Sequence, residues 1–416
     1  MLYQRGLLLV AMQPDPAVVP TFDPNTDAVL VEDPMYSIDP SVLERNFVRK
    51  SISVLPHAIG RKLAKITFTT EVRGNGKLQS GLLADAPLLG RLFRACSLSQ
   101  TLVATAAATV PFKTGTVTGP TVSWSVGAGA ITVTDRVTYT ITVSTGGASG
   151  TAKVDITPDD VTVGGPATTA VTLTTATPLT VGNKGVTVTP TWSGSLVLGQ
   201  KWVVAAQPKG VQYKPITDNP EMVAFRLYYD GVLHLMDRAR GTFRIEAKAG
   251  NFAVLTWEFT GQYQDVVDAA IPDAVYEDTL PSQVELAHCL IDGYAPTIDT
   301  FSMDLANTIV PRADANSADG YNGVMITGRN PSGGIDPEMT MKAVFDWQGK
   351  MAKGTQMAVQ FRVGSDVGNR IWFHAPAAQA TGNPYANREG QRTLQYGLKF
   401  PQLSGAGDDE FSITFT

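Results

Sequence analysis

Charged residues are scarce in this chain of 416 residues, because Asp, Glu, Lys and Arg make up only 17% of it, against roughly 25% in a typical globular protein. The formal net charge is −5, and no stretch carries a dense cluster of Lys and Arg. Proteins that grip nucleic acid present a basic surface to the phosphates. The composition therefore excludes tight binding of DNA, but not the passage of DNA close to the protein.

Cysteine and histidine are also rare. The two cysteines, Cys96 and Cys289, lie far apart in sequence, which excludes a disulfide framework or a structural zinc site and predicts two free, buried thiols in a reducing cytoplasm. His288 and Cys289 are adjacent, so on a strand their side chains point to opposite sides; a Cys–His nucleophile pair stays open as an alternative. The histidines, none of them at metal-binding spacing, are His57, His234, His288 and His374.

Long hydrophobic runs are missing. The apolar run near the N-terminus is about seven residues long, whereas a membrane span needs ~20 and a signal peptide needs a longer core with a cleavage site. We expect Leu7–Met12 to be an arm or strand that docks on a neighbouring surface. No membrane partner is predicted.

Other short motifs favour turns over chemistry. The glycine turn Gly74–Lys77 lacks the spacing of a phosphate-binding loop, and the segment 314–320 lacks the acid spacing and terminal Glu of a calcium loop. The acid pairs Asp159-Asp160 and Asp408-Asp409 are interpreted as solvated turn charges. We therefore predict no catalytic, cofactor-binding or metal-binding residues, no cofactor and no enzymatic activity. The aromatic residues predicted to fill strand cores are Phe243, Trp257, Phe345, Trp347, Phe411 and Phe415.

The first part of the chain divides into an arm and a folded unit. Residues 1–45, rich in Pro, Asp and Asn beyond residue 13, predict an extended arm. Residues 46–104 begin the first folded domain, with an alternating strand at Ile66–Val72. A helix should follow over 88–96, with Asp85 as its N-cap and Pro87 in its first turn.

Residues 105–200 consist almost entirely of Thr, Val, Gly, Ala and Ser, which favours short strands and turns. We predict an inserted immunoglobulin-like β-sandwich domain there. Its predicted strands are 130–134, 137–143, 161–163, 170–174 and 186–189.

The first domain resumes at residues 201–272, with a hairpin of Thr242–Lys248 and Phe252–Thr260. After a link, residues 283–416 form the last domain. Two patterns occur twice. The first pattern, strand, turn and strand, occurs at residues 52–60 with 66–72 and again at 326–335 with 339–345. The second is a closing hairpin, found at 242–260 and again at 394–400 with 411–416. Chance agreement between amphipathic hairpins stays open, and the second copy lacks a clear counterpart of the 88–96 helix. The predicted class is mainly β, with one β-sandwich fold duplicated.

The segment Pro87-Leu-Leu-Gly-Arg-Leu-Phe-Arg-Ala-Cys-Ser-Leu98 resembles a segment that recurs in phage tail tube proteins. Further segments similar to the same class are 304–312, 319–320, 327–331 and 335–338. The resemblance implies a tail-tube-like β-sandwich with a flanking helix and a long loop or hairpin. It also implies stacked rings whose inner sheets join into a barrel, usually with six folds per ring.

The expected function is that of a siphophage major tail protein, a structural protein that forms the tail tube through which DNA is ejected. Two folds per chain predict trimeric, pseudo-hexameric rings stacked head-to-tail, with an acidic or neutral polar lumen. The expected partners are other copies of the chain and the tip, terminator and tape measure proteins. The expected location is the virion tail, after assembly in the host cytoplasm. The alternatives are another virion component (tail-tip, terminator or decoration protein) and a surface adhesin with a glycan-binding immunoglobulin-like domain.

Overall fold

The chain is mainly β in a computed structural model, which describes residues 5–77, 86–103, 105–114, 117–127, 130–133, 136–159, 161–285, 287–317 and 320–416. The helices are α1 (Leu89–Ala95), α2 (Val161–Gly164) and α3 (Trp347–Ala352). The strands are β1 (Gly6–Met12), β2 (Ala28–Val29), β3 (Glu32–Leu43), β4 (Ala58–Glu71), β5 (Leu98–Val103), β6 (Ala107–Ala108), β7 (Phe112–Thr114), β8 (Ser123–Val126), β9 (Val137–Thr145), β10 (Lys153–Pro158), β11 (Thr168–Thr172), β12 (Leu179–Val181), β13 (Val186–Thr191), β14 (Lys201–Gln207), β15 (Gly210–Pro215), β16 (Val223–Tyr229), β17 (Val232–Lys248), β18 (Val254–Asp268), β19 (His288–Ile291), β20 (Thr300–Asp304), β21 (Asn307–Ala313), β22 (Tyr321–Arg329), β23 (Ser332–Ile335), β24 (Met357–Val363), β25 (Ile371–Gly382), β26 (Tyr385–Arg388), β27 (Gln391–Leu394), β28 (Tyr396–Lys399) and β29 (Ser412–Phe415).

The chain divides into two compact units. Unit 1 contains the described residues of 1–77, 86–101 and 212–415, and unit 2 contains those of 102–211 together with Thr416. Unit 2 has its own sheets, β11-β10-β9-β14-β6 with β7 beside β14, and β12-β13-β8. Its core is built from alternating strand residues such as Tyr139, Ile141 and Val188 together with Trp202. The predicted insert therefore falls inside unit 2, and its immunoglobulin-like character remains a prediction.

Unit 1 contains the same order of strand pairing twice. In the first series β1 pairs with β16, β16 with β17, β17 with β18, β18 with β4, and β4 with β3. In the second series β19 pairs with β24, β24 with β25, β25 with β28 and β29, β28 with β23, and β23 with β20. The orders coincide if β28 and β29 together stand for β18. A short helix follows β4 in one series (α1) and β23 in the other (α3).

Strand β17 joins the two series, because its second half pairs with β20. The strands β3-β4-β18-β17-β20-β23-β28-β25 thus form one continuous sheet, which we call the joint sheet. Its buried face packs against α1, whose Phe93 ring lies 5.2 Å from Tyr213, 5.1 Å from Phe243 and 5.2 Å from Trp257. Gly90 lies where any Cβ would overlap the Tyr213 hydroxyl, so the helix approaches this ring closely.

Several predicted elements are confirmed. The helix of 88–96 is α1, although Asp85, its proposed N-cap, lies outside the described residues. The hairpin of 242–260 is formed by β17 and β18. In unit 2 the predicted strands 137–143, 170–174 and 186–189 correspond to β9, β11 and β13. The aromatic residues assigned to cores are buried.

Leu7–Met12 were predicted to be an arm or strand, and the strand is confirmed, although the division of the chain had placed them in an extended arm of residues 1–45. They form β1, which lies between β2 and β16 and is buried from Leu7 to Ala11. Four consecutive apolar residues from Leu7 to Val10 suit a strand covered on both faces. Residues 32–43, also assigned to the arm, form β3.

The sequence repeat was aligned incorrectly. Residues 51–57 contain no strand, and residues 339–345 form a turn that leads into α3. Asp346 explains the second difference, because its carboxylate accepts a hydrogen bond from the Gly349 amide and begins a helix. The predicted hairpin of 394–416 is not one, since β28 and β29 both pair with β25 and not with each other.

Two predictions for the insert also fail. Residues 161–163 form the short helix α2, and the described residues of 130–134 contain no strand. The boundary at residue 200 is too early, because β14 pairs with β9 and its Trp202 belongs to the core of unit 2. Composition changes at residue 200, but the fold does not.

Candidate assembly surface

The joint sheet presents a polar face opposite its buried one. Cross-strand register identifies this face, since Thr69, Thr256, Arg244 and Asp304 lie side by side on successive strands. From β4 to β28 its charged residues are four acidic and five basic: Glu71, Glu246, Glu258, Asp304, Lys65, Arg240, Arg244, Lys248 and Lys399. Small polar residues and glycines fill the positions between them. The face is therefore polar, with nearly equal numbers of acidic and basic residues.

Each end of the joint sheet is an open edge within the described part of the chain. Strand β3 pairs only with β4. At the other end β25 and β28 are continued by β26 and β27, a separate two-stranded sheet in which β26 pairs only with β27. Proline suits such edges because it cannot donate to a sheet ladder, and β3 contains Pro34 and Pro40. Met35 on β3 is 66% exposed. Native proteins usually blunt such edges against association.

Strand β3 is held firmly along its inner side. The Tyr36 hydroxyl donates to the Leu235 carbonyl at 3.2 Å, and the Tyr229 hydroxyl donates to the Pro34 carbonyl. The Tyr36 and His234 rings lie 4.6 Å apart. Burial is the main cause that raises the pKa of Tyr36 far above its ordinary value, with Tyr263 adding to it. The edge is thus preformed.

The hairpin of β21 and β22 belongs to the second series but lies across the first. The Asn307 side-chain amide donates to the Gly241 and Cys96 carbonyls, each at 2.9 Å. The Asn307 backbone N–H donates to the Thr242 hydroxyl at 3.1 Å. The Arg238 guanidinium donates to the Asn322 side chain at 2.8 Å. The hairpin β21–β22 of the second series is therefore held across the first series by hydrogen bonds.

The corresponding hairpin of the first series, β3 and β4, carries exposed apolar residues beyond the joint sheet. Ile38, Val42, Leu43 and Ile59 are all 43–53% exposed. At the tip, the more exposed apolar residues are Phe47, Val48, Ile52 and Val54. A contiguous apolar surface of this kind marks an interaction site.

The structure does not assemble the rare chemical residues into a reactive group. Burial raises the pKa of Cys96 well above its usual value and that of Cys289 to about 12, so both thiols stay protonated. His288 packs its ring against Trp372 at 5.7 Å. Within the described residues, no group of three or more His, Cys, Asp and Glu side chains is placed to hold a metal ion.

The polar segments 74–77 and 314–320, which were predicted to be turns, are occupied by structural hydrogen bonds. The Gly74 amide donates to the Asn369 side chain at 2.8 Å and the Gly76 amide donates to the Gly368 carbonyl, so neither is available to a phosphate. Asp314 accepts from the Asn316 amide at 2.9 Å, as an Asx turn does. Asp319 and Asp160 lie outside the described residues, and Asp159 accepts from the Thr138 amide.

Asp408 and Asp409 are not merely solvated charges. Asp408 accepts hydrogen bonds from Thr217 and from the Arg329 guanidinium at the base of β22. Burial alone would raise the pKa of Asp408, but the hydrogen bonds from Arg329 and Thr217 outweigh it and lower the pKa. Asp409 accepts from the Leu403 and Ser404 amides. These carboxylates fix the loop beside β29.

Sequence reasoning missed the two open edges. The signal was present in β3, whose prolines indicate an edge strand as well as an arm. The edge at β26 carried no comparable signal, because Tyr385–Arg388 is four residues long and has no apolar alternation.

A comparison with family models matches residues 185–397 to the phage tail tube protein family. The match runs from 185 to 397, which is 213 of the 416 residues and more than half of the chain. The chain belongs to the phage tail tube protein family. A search of curated proteins found no match.

The tail tube family is a structural, non-enzymatic family whose members assemble into a tube with other tail proteins, so the chain is a component of the phage tail. The matched residues contain β17 and β20, which join the two series, and the hairpin β21–β22. Among the described residues, no helix is long and apolar enough to cross a membrane.

Proposed function

We propose that the chain is the major tail protein of a siphophage and polymerises as stacked rings that form the tail tube, the conduit for DNA ejection. The observation that carries the proposal is the joint sheet, which already joins two series of strands and leaves an open edge at each end. An open sheet edge is a template for another chain. Repetition of one head-to-tail contact closes a ring when the rotation allows it.

Three chains complete the ring. Each series contributes four strands to the joint sheet, so a chain contributes eight and the ring contains about 24, a number above the 16–18 strands that leave an aqueous channel in porins. The two series act as two tail-tube-like folds, which makes the trimer pseudo-hexameric. The repeated order of pairing supports this duplication.

The polar face of the joint sheet lines the lumen. Its four acidic residues nearly balance its five basic ones, of which Arg240 donates hydrogen bonds to the Val324 and Pro220 carbonyls, and neighbouring charges pair, as Arg244 and Glu246 do at 2.8 Å. Since binding to DNA derives mainly from uncompensated Lys and Arg at the phosphates, DNA passes without being retained. The protein therefore acts as a conduit and carries out no reaction.

The remaining partners are the tip, terminator and tape measure proteins, and unit 2 is an immunoglobulin-like decoration on the outside of the tube. The virion tail is the site of action, and the host cytoplasm is the site of assembly.

The number of chains per ring tests this proposal. Cryo-electron microscopy of purified tails, with mass measurement of rings released from them, should give three chains per ring, threefold outer projections and a hollow lumen. Six chains per ring would refute the pseudo-hexamer. Compact rings that never stack would instead indicate a terminator or tip protein.

A further inference from the structure

The two series of strands correspond residue by residue, and a shared bulge sets the alignment. Where β16 meets β17, Val223 and Phe225 face Ala239 and Met236, so three residues on β16 oppose four on β17. Where β24 meets β25, Met357 and Val359 face Ala378 and Ala375 in the same way. Bulges are specific features of a fold and not random defects. Ala378 therefore corresponds to Ala239.

The correspondence extends across the joint sheet through the cross-strand pairs. Gln379 faces Lys399 and its counterpart Arg240 faces Thr260, so Lys399 corresponds to Thr260. Lys399 in turn faces Ser332 and Thr260 faces Lys65, so Ser332 corresponds to Lys65. Two residues further along, Gly334 corresponds to Thr67. Ser302 on β20 faces Gly334 and Met35 on β3 faces Thr67, so Ser302 corresponds to Met35. In this alignment buried residues correspond to buried residues: Leu398 to Phe259, Tyr396 to Trp257, and Ile335 to Phe68.

The other open edge corresponds to the second half of β17. Ala380 and Gly382 face Leu398 and Gly397, so β25 contains one extra residue at this point. With that residue counted, β26 occupies the place of residues 245–248, and Ala386 takes the place of Glu246. Inside the chain, Glu246 faces Ser302.

We propose that β26 of one chain pairs antiparallel with β3 of the next chain, with Ala386 opposite Met35, as a repeat of the contact that β17 and β20 make within the chain. The inference deepens the proposed ring and rests on it. The partner is a second copy of this chain, because both edges are open in the described residues and the register is already present once.

The same equivalence indicates that the next chain covers the apolar surface of the hairpin β3–β4. Beyond Asp304 the hairpin β21–β22 crosses β17 at Gly241 and Thr242. Beyond Ser37, its counterpart β3–β4 crosses the next chain at Ala380 and Gly382. The exposed side chains of Ile38, Val42, Leu43 and Ile59 are then covered by that chain.

Disulfide trapping in assembled tubes tests the register. The variant pair is Met35→Cys and Ala386→Cys, made as two single-variant chains that are mixed before assembly. Directly opposed residues on neighbouring strands have Cβ atoms ~4.5–5.5 Å apart, close to disulfide geometry. Within one chain β3 and β26 lie at opposite ends of the joint sheet, about seven strand spacings or ~34 Å along it. We expect covalent dimers from the mixture and none from either single variant.

The matched control pairs Met35→Cys with Tyr385→Cys. A slip of one residue turns a side chain to the other face of a sheet, so this pair should stay unlinked although its residues are neighbours in sequence. Cys96 and Cys289 are buried and should not react in the unmodified chain.

The outcomes separate the register from the ring. Linkage of 35 with 385 and not with 386 would overturn the register. Tubes of three-chain rings could form equally well under reducing and oxidising conditions, with neither pair of cysteines linked. That result would overturn the β3–β26 contact and leave the three-chain ring standing. If tubes of the unmodified chain are not built of stacked rings, the proposed function itself is refuted.

Discussion

Gly90 shows how one residue fixes the position of the helix against the sheet. A Cβ at Gly90 would overlap the Tyr213 hydroxyl and approach its ring carbons. Tyr213 is fully buried between Phe93 and Phe415 and has no room to move. Alanine is the better helix former by ~1 kcal/mol, so propensity alone predicts that Gly90→Ala stabilises the protein.

We expect Gly90→Ala to destabilise unit 1 by ~1–3 kcal/mol, because overpacking outweighs helix propensity. Urea unfolding measures the change. Gly405→Ala is the control, because a Cβ there has no neighbour within 4 Å. The Tyr213 hydroxyl is buried without a hydrogen-bond partner, so adding Tyr213→Phe should recover part of the loss. Equal stability of Gly90→Ala and Gly405→Ala would contradict this account.

At the scale of elements, the sequence predicted hairpins and strands whose side chains alternate and are buried on one face. The pair β17 and β18 is an example, since Leu255, Trp257 and Phe259 share the buried face. Elements whose form depends on distant partners were missed. Strand β1 is defined by pairing with β16, more than 200 positions away, and β3 looks like an arm because its outer side has no partner among the residues that the structure describes.

The assembly surface was predictable only in kind. Low charge and the short helical motif indicated a self-assembling tail protein, but no local pattern marks Met35 or Ala386. Their role follows from the register of the complete joint sheet, which depends on pairings between residues far apart in sequence. A hairpin signal at 52–60 was false because exposed apolar residues at a tip resemble a buried strand.

Unit 2 is attached through two neighbouring strands, which makes it removable. Ser97 and Ser99 on or beside β5 donate hydrogen bonds to the Ile216 and Lys214 carbonyls, so β5 and β15 run antiparallel and their ends at 103 and 210 meet. A linker of about four residues can close such a pair. Replacing 104–209 by a Gly/Ser linker should therefore leave tube formation intact.

Electron microscopy of tails assembled from the shortened chain should show tubes of unchanged lumen and smaller outer diameter. Circular dichroism and thermal unfolding confirm that unit 1 remains folded. A folded shortened chain that forms no tubes would show that unit 2 takes part in assembly.

At the scale of the whole molecule, the nearly balanced charge of the polar face is the feature most directly connected with a conduit. Glu71 and Glu258 lie on this face, on the neighbouring strands β4 and β18. Replacing both with Lys leaves the buried face unchanged and gives every ring an excess of basic residues. Because a basic channel binds phosphates and releases counterions, its hold on DNA weakens steeply with salt.

We expect Glu71→Lys/Glu258→Lys phage to assemble normal tails but to eject DNA about tenfold more slowly at ~50 mM salt, with recovery towards the normal rate at ~200 mM. The control, Glu71→Gln/Glu258→Gln, changes the same positions without creating basic residues and should slow ejection far less. Time-resolved fluorescence of a DNA-binding dye outside the particle measures the rate. If the lysine variant ejects at the unmodified rate at both salt concentrations, the polar face of the joint sheet does not line the path of the DNA.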